Sequence, residues 1–364
     1  MVYQLAAETA ADQDLASYSD QLIIAMIVAY AAALFLFALE AAYGRRTALK
    51  GNRMVPVGAA APSAMGGHGG EASAAVGGSS TVDLDADPAS GGGGGADGDD
   101  LKVSVRGSEP QASASRNVLG AIALGVTGLG FLLNLAQIVT RGLAADRWPW
   151  GNMFEFVVAI CVCTVAAFLF AAVRYQARYL GTFVMLPVVL LLGIAARWLY
   201  TETGPLVPAL HSYWIAIHVS AAIVATGAFM VSGAAAITYL LAHRTEAKRA
   251  MGERVAGIAA KLPSPELLDR VSHRFVVIAF PLWTFGIIAG AVWADEAWGR
   301  FWGWDPKEVW SFITWVIYAA YLHARATAGW KGTRSAWIGV LGFAALMFNF
   351  FGVNYMFSGL HSYA

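Results

Sequence analysis

Eight runs of apolar residues, each close to 20 long, can be drawn along this chain, at 20–43, 117–139, 153–173, 179–199, 213–241, 275–294, 309–324 and 336–357. A run of that length crosses the hydrocarbon layer of a bilayer as a helix, because a helix satisfies its backbone N–H and C=O groups within its own segment. The expected fold is therefore an all-α polytopic membrane protein with about eight transmembrane helices. Composition agrees, since 58% of the 364 residues are hydrophobic and only 13% are charged, too apolar for a soluble chain of this size. No nucleic-acid partner is expected.

The basic residues predict orientation, because cytoplasmic loops retain Lys and Arg. With the N-terminus outside, the inner segments 44–116, 174–178, 242–274 and 325–334 hold 19 of the 24 basic residues, leaving Arg141, Arg147, Arg197, Arg300 and Lys307 outside. Both termini are then extracytoplasmic. The first residues lack a basic n-region, so 1–43 reads as a retained N-terminal anchor helix. Residues 44–116 read as a disordered cytoplasmic linker: between Gly58 and Asp100 there are 13 glycines, seven acids and no Phe, Trp or Tyr. His68 within it reads as a solvated residue. Residues 117–364 form the expected membrane core.

Smaller features are read in their bland sense. Cys161 and Cys163 point roughly 200° apart on one helix and read as packing residues. Glu40 is expected to snorkel toward Arg45 and Arg46. The basic stretch from Arg244 to Arg274 reads as a surface-lying amphipathic segment, with a short helix starting at Ser264-Pro265-Glu266 and with His243 and His273 as interfacial residues.

The core's most unusual stretch is WADEAWGRFWGWDPKEVWSFITW, with tryptophans at 293, 298, 302, 304, 310 and 315. One or two tryptophans per helix end would be an ordinary interfacial belt. Six around one loop suit a large, flat, apolar ligand on which indoles stack, and haem is the obvious candidate. Asp305 and Glu308 have two readings, as ligand contacts or as the capping box of a helix with Pro306 at N1. Haem iron takes two axial ligands, commonly neutral imidazoles. His211 and His218 share one face of the fifth span, about 10 Å apart along its axis, and the residues alone rank them only by depth, which favours His218. His361 lies near the C-terminus and His323 near the inner end of the seventh span.

WGRFWGWDPKE resembles the tryptophan-rich WWD signature of haem-handling proteins of cytochrome c maturation. Its flanks, with GLHSY at the C-terminus, resemble the CcsA/ResC branch of system II, often labelled CcsB in actinobacteria. The resemblance covers most of the chain outside 44–115. It implies that the external WWD loop at 293–315 handles haem b, supplied as substrate with its iron reduced. It implies axial ligation by His218, followed by valine as in the family, and by His361. It further implies an inner haem site at His323, in a YLHxR context, and contacts from Trp298, Trp302, Trp304, Asp305 and Glu308. Either Arg300 or Lys307 is placed to pair with the propionates. The implied activity is that of a holocytochrome c synthase of the haem lyase type, joining haem to the CxxCH of apocytochrome c without a nucleophile of its own. The implied partner is a ResB-type membrane subunit, and the implied location is the bacterial plasma membrane. A haem exporter or chaperone without ligation activity and a di-haem electron-transfer protein remain as alternatives.

Overall fold

The structure, a computed structural model, describes residues 2–43, 111–202, 212–257, 259 and 262–361, with backbone alone for 2–12 and 111–117. The glycine-rich linker, His68 and His211 lie outside the described residues. Among the described residues the fold is all-helical: α1 Val2–Tyr43, α2 Gln111–Ala144, α3 Met153–Arg174, α4 Gly181–Ile194, α5 Tyr213–Ala250, α6 Pro265–Trp298, α7 Pro306–Thr327, α8 Thr333–Met347 and the short α9 Val353–Met356. A π-helical turn extends α4 over Ala195–Leu199, and another joins α8 to α9 over Phe348–Gly352.

Seven segments are long and apolar enough to cross a membrane. The remaining long helix, α7, has 22 residues but falls short on composition, because Lys307 and Glu308 open it and His323 and Arg325 close it. The chain is a multi-pass membrane protein.

Helix α5 is the hub. Every residue from Ala225 to Ala236 is buried, so this stretch is enclosed all round, as a helix without a polar face must be. Its many Ala and Gly residues let α3, α6 and α8 approach closely, the usual basis of helix association in lipid. Phe229 of α5 stacks on Tyr318 of α7 at 3.9 Å between centroids. Helices α1 and α2 pair with each other and share two buried polar contacts, Gln137 to Ser19 at 3.1 Å and Asn134 to the Tyr30 hydroxyl at 3.4 Å.

Glu40 pairs with Arg178, on the turn before α4, at 2.8 Å; Arg45 and Arg46, toward which it was expected to snorkel, lie outside the described residues. One expectation is corrected: among the described residues from Arg244 to Arg274 there is no α-helix separate from α5 and α6. Helix α5 runs on to Ala250, and Pro265 stands at the first turn of α6, which continues unbroken to Trp298. The proline marks a helix start correctly, and the helix simply extends beyond its apolar stretch. His273, on this extension, is half-buried beside the Tyr321 ring at 6.0 Å.

Candidate functional site

Local chemistry fixes the loop between α6 and α7 before any ligand is considered. Gly299 ends α6 in the left-handed conformation at φ 68°, its N–H donating to the Asp295 carbonyl at 2.8 Å, the usual glycine stop. Asp305 then caps α7 with Pro306 at N1, and the capping box with Glu308 is complete. Both carboxylates are thus helix caps, but neither is only that.

Glu308 Oε2 accepts from Gly303 N at 2.8 Å and from Asp305 N at 3.0 Å, while Oε1 accepts from Arg300 Nη1 at 3.0 Å. Two N–H groups flanking Trp304 converge on one oxygen, which holds Trp304 at φ 58°. A left-handed residue with a large side chain costs roughly 1–2 kcal/mol, and the charged acceptor offsets that cost.

Asp305 reaches the C-terminal turn. Its Oδ1 accepts from His361 Nδ1 at 2.9 Å and from Lys307 N at 3.1 Å, and its Oδ2 accepts from Leu360 N at 2.7 Å. Burial alone would raise its pKa, but the His361 and Leu360 hydrogen bonds outweigh it and hold the carboxyl down to about 2. An ionised carboxylate only accepts, so Nδ1 of His361 carries its proton.

His218 comes from α5, half-buried and across from α6. Its Nδ1 lies 2.7 Å from the Gly286 carbonyl. A carbonyl only accepts, so this nitrogen too is protonated and Nε2 carries the lone pair. The ring fits because α6 carries Gly290 on the side that faces it; a Cβ at position 290 would stand 2.6 Å from His218 Cε1 and Nδ1.

Trp293 joins the two histidines. Only 2% exposed, it stacks on His218 at 5.8 Å and 14° and meets His361 edge-on at 5.7 Å. Trp298 packs on Trp293 at 4.7 Å and on His361 at 4.9 Å. His218, His361, Trp293, Trp302 and Glu308 all line one largely apolar cleft. Its floor comes from α3, α5 and the π turn after α8.

Of the residues expected here, His218, His361, Trp302, Asp305 and Glu308 are brought together. Trp304 is 68% exposed and does not line the cleft, although its ring touches Trp302 edge-on at 5.8 Å. Trp310 and Trp315 pack on Phe348 and Phe280 instead. His323 lies at the other end of the bundle, exposed on α7, two residues from the buried Tyr321. Trp293, Gly286 and Gly290 are the additional site residues. Their signal was the spacing of Gly286, Gly290 and Trp293 at i, i+4 and i+7, one face of one helix, with the first two forming a GxxxG pair.

Fold and site together define a polytopic helical membrane protein with two imidazoles set around a buried indole at one end of its bundle. Residues 150–361 match the family described as cytochrome C assembly protein. The cytochrome c biogenesis protein CcsA of Gloeobacter violaceus is 35% identical over 305 residues, covering 69% of this chain and 89% of the relative. The CcsA proteins of Synechococcus elongatus, at 35% over 292 residues, and Mesostigma viride, at 34% over 260 residues, cover 68% and 66% of this chain and 89% and 85% of their own lengths. The chain belongs to the cytochrome c assembly protein family.

Proposed function

We propose that this protein acts in cytochrome c maturation, holding haem as substrate between His218 and His361 while its vinyl groups are joined to the CxxCH thiols of apocytochrome c. The observation that carries this reading is the pair of imidazoles from distant parts of the chain, converging on one indole in one cleft, each with Nδ1–H committed to an oxygen acceptor. Metal-ligating histidines characteristically donate their second nitrogen to a carbonyl or carboxylate, which fixes the ring and makes the other nitrogen a better ligand.

Each thioether forms by adding a thiol S–H across a vinyl C=C, with sulfur bonding one carbon and the proton going to the other. The chain's work is to bind and orient a flat substrate and exclude water, with proximity supplying the rate. Trp293 and Trp302 supply apolar walls, Trp298 backs His361, and Asp305 orients it. Glu308 holds the loop in shape, and Trp304 presents an exposed indole to the incoming peptide. Attachment completes when the peptide's own histidine replaces one axial ligand. In this reading this end of the bundle, and both termini, face the extracytoplasmic side of a bacterial plasma membrane, an orientation that the bias of Lys and Arg supports.

His323 serves an inner haem site in this reading. An ionisable residue exposed on a membrane helix requires cover. On the facing side of α7, Tyr321 and Arg325 engage α6 instead, with Arg325 bonding Asp269 at 2.7 Å. A ResB-type membrane partner seated on the exposed side supplies both the cover and a second ligand. The test is co-expression with that partner and a CxxCH reporter, scoring covalent haem by staining after denaturing electrophoresis. The reading requires stained reporter that disappears with His218→Ala; haem bound to the protein without any stained reporter would leave carriage and remove ligation.

A further inference from the structure

Two cations lie near the cleft, Lys307 in its lining and Arg300 on the loop beside it, and their surroundings differ. Arg300 is committed, bonded to Glu308 at 3.0 Å and lying 5.9 Å over the Trp298 ring. Lys307 lines the cleft without an ion-pair partner among the described residues. Its Nζ donates to Asn354 Oδ1 at 2.8 Å and stands 5.7 Å over the Phe350 ring. Asn354 is itself oriented, since its Nδ2 donates to the Phe350 carbonyl at 2.9 Å, turning Oδ1 to the lysine.

An ammonium held by one neutral amide and one ring, in a cleft with mainly apolar walls, is poorly compensated. It retains donors for an acceptor that the described residues do not provide. Burial accordingly pushes its pKa down to about 8, with the Asp305 carboxylate pulling the other way. Lys307 precedes the apolar stretch 309–324, follows Asp305 by two residues and lines the same cleft as both histidines.

We propose that Lys307 is the carboxylate anchor of this cleft, with Asn354 as its positioning residue, and that it takes a propionate of the haem. This rests on the haem reading above and adds an orientation to it. The two propionates of the macrocycle lie on one edge and the vinyls toward the other. Anchoring the acid edge at Lys307 therefore turns the vinyl edge away from the lysine, to where a peptide thiol must approach. Arg300 holds the loop and makes no contribution to substrate charge.

The test compares haem with haem dimethyl ester, in which the iron and ring are unchanged but both carboxylates are capped. Both are titrated by Soret absorbance into the haem-free full chain in detergent, for wild type, Lys307→Met and Lys307→Arg. A buried charge-assisted contact predicts that esterification weakens wild-type binding about 10- to 100-fold. Lys307→Met should bind acid and ester alike, at the weakened level, and Lys307→Arg should keep most of the preference. The wild-type arm stands without any variant: equal affinity for acid and ester overturns the anchor and leaves the histidine site intact. A preference that survives in Lys307→Met also overturns it, placing the carboxylates elsewhere. Failure of wild type to bind either form would overturn both the anchor and the haem reading.

Discussion

Replacing Gly290 with alanine tests whether His218 is held by α6 in the geometry that ligation needs. The added Cβ would stand 2.6 Å from His218 Cε1 and Nδ1 and 3.3 Å from Nε2. Ordinary carbon contacts are about 3.5–4.0 Å, so the ring must retreat by about 1 Å. The ring cannot do so cheaply, because its Nδ1 is bonded to the Gly286 carbonyl at 2.7 Å and its face stacks on Trp293. Overpacking of this kind costs about 1–3 kcal/mol in stability, and losing the orienting partner of a metal ligand costs about 10- to 100-fold in affinity. Gly286 supplies the control. A Cβ there would meet nothing closer than the Ala222 amide nitrogen at 3.5 Å, so Gly286→Ala should stay within about threefold of wild type. The assay is Soret titration with haem, alongside thermal unfolding to separate lost binding from lost fold. Combined with His218→Ala, Gly290→Ala should add little further loss, because both act on one ligand. Equal effects of the two glycine substitutions, or unimpaired haem binding by Gly290→Ala, would refute the reasoning.

Other outcomes follow from the same geometry. Glu308→Ala strands the Gly303 and Asp305 N–H groups and frees Trp304 from its left-handed backbone, costing about 2–4 kcal/mol, read as a lowered thermal midpoint; an unchanged midpoint would show that the loop is held by other means. The low pKa of Asp305 has a definite sign: its stabilising contact with His361 is complete above the ordinary carboxylate value near 3.8 and is lost only as pH falls through about 2. Carboxylate-linked changes in the haem spectrum should therefore be absent between pH 7 and 5, and a transition there that Asp305→Asn removes would contradict the assignment. His323→Ala should lower the haem that copurifies with the protein and its partner more than His273→Ala does, by pyridine haemochrome; equal losses would remove the inner site at His323.

What was legible in the sequence was whatever rests on local spacing. The apolar runs give the helices, because each run satisfies its own backbone. The capping residues Asp305, Pro306 and Glu308 give the start of α7, because a cap is made within four residues. His218, His361 and the tryptophan signature come through resemblance. What stayed hidden depends on which helix faces which. Asp305 reads as a cap from its neighbours, and its bond to His361 exists only once the C-terminal turn folds back over α7. Trp293 reads as one indole among six until α5 and α6 pack through Gly286 and Gly290, whereupon it becomes the one both histidines touch. Arg178 as the partner of Glu40 was hidden for the same reason.

The central claim is that His218 and His361 together ligate haem iron, and the electron paramagnetic resonance spectrum of the oxidised haem-loaded protein tests it most directly. A low-spin bis-imidazole signal is predicted for wild type. His218→Ala and His361→Ala should each lose it, and added imidazole should restore it in both by entering the space the lost ring leaves. Retention of the low-spin signal in either single variant without added imidazole would contradict the assignment.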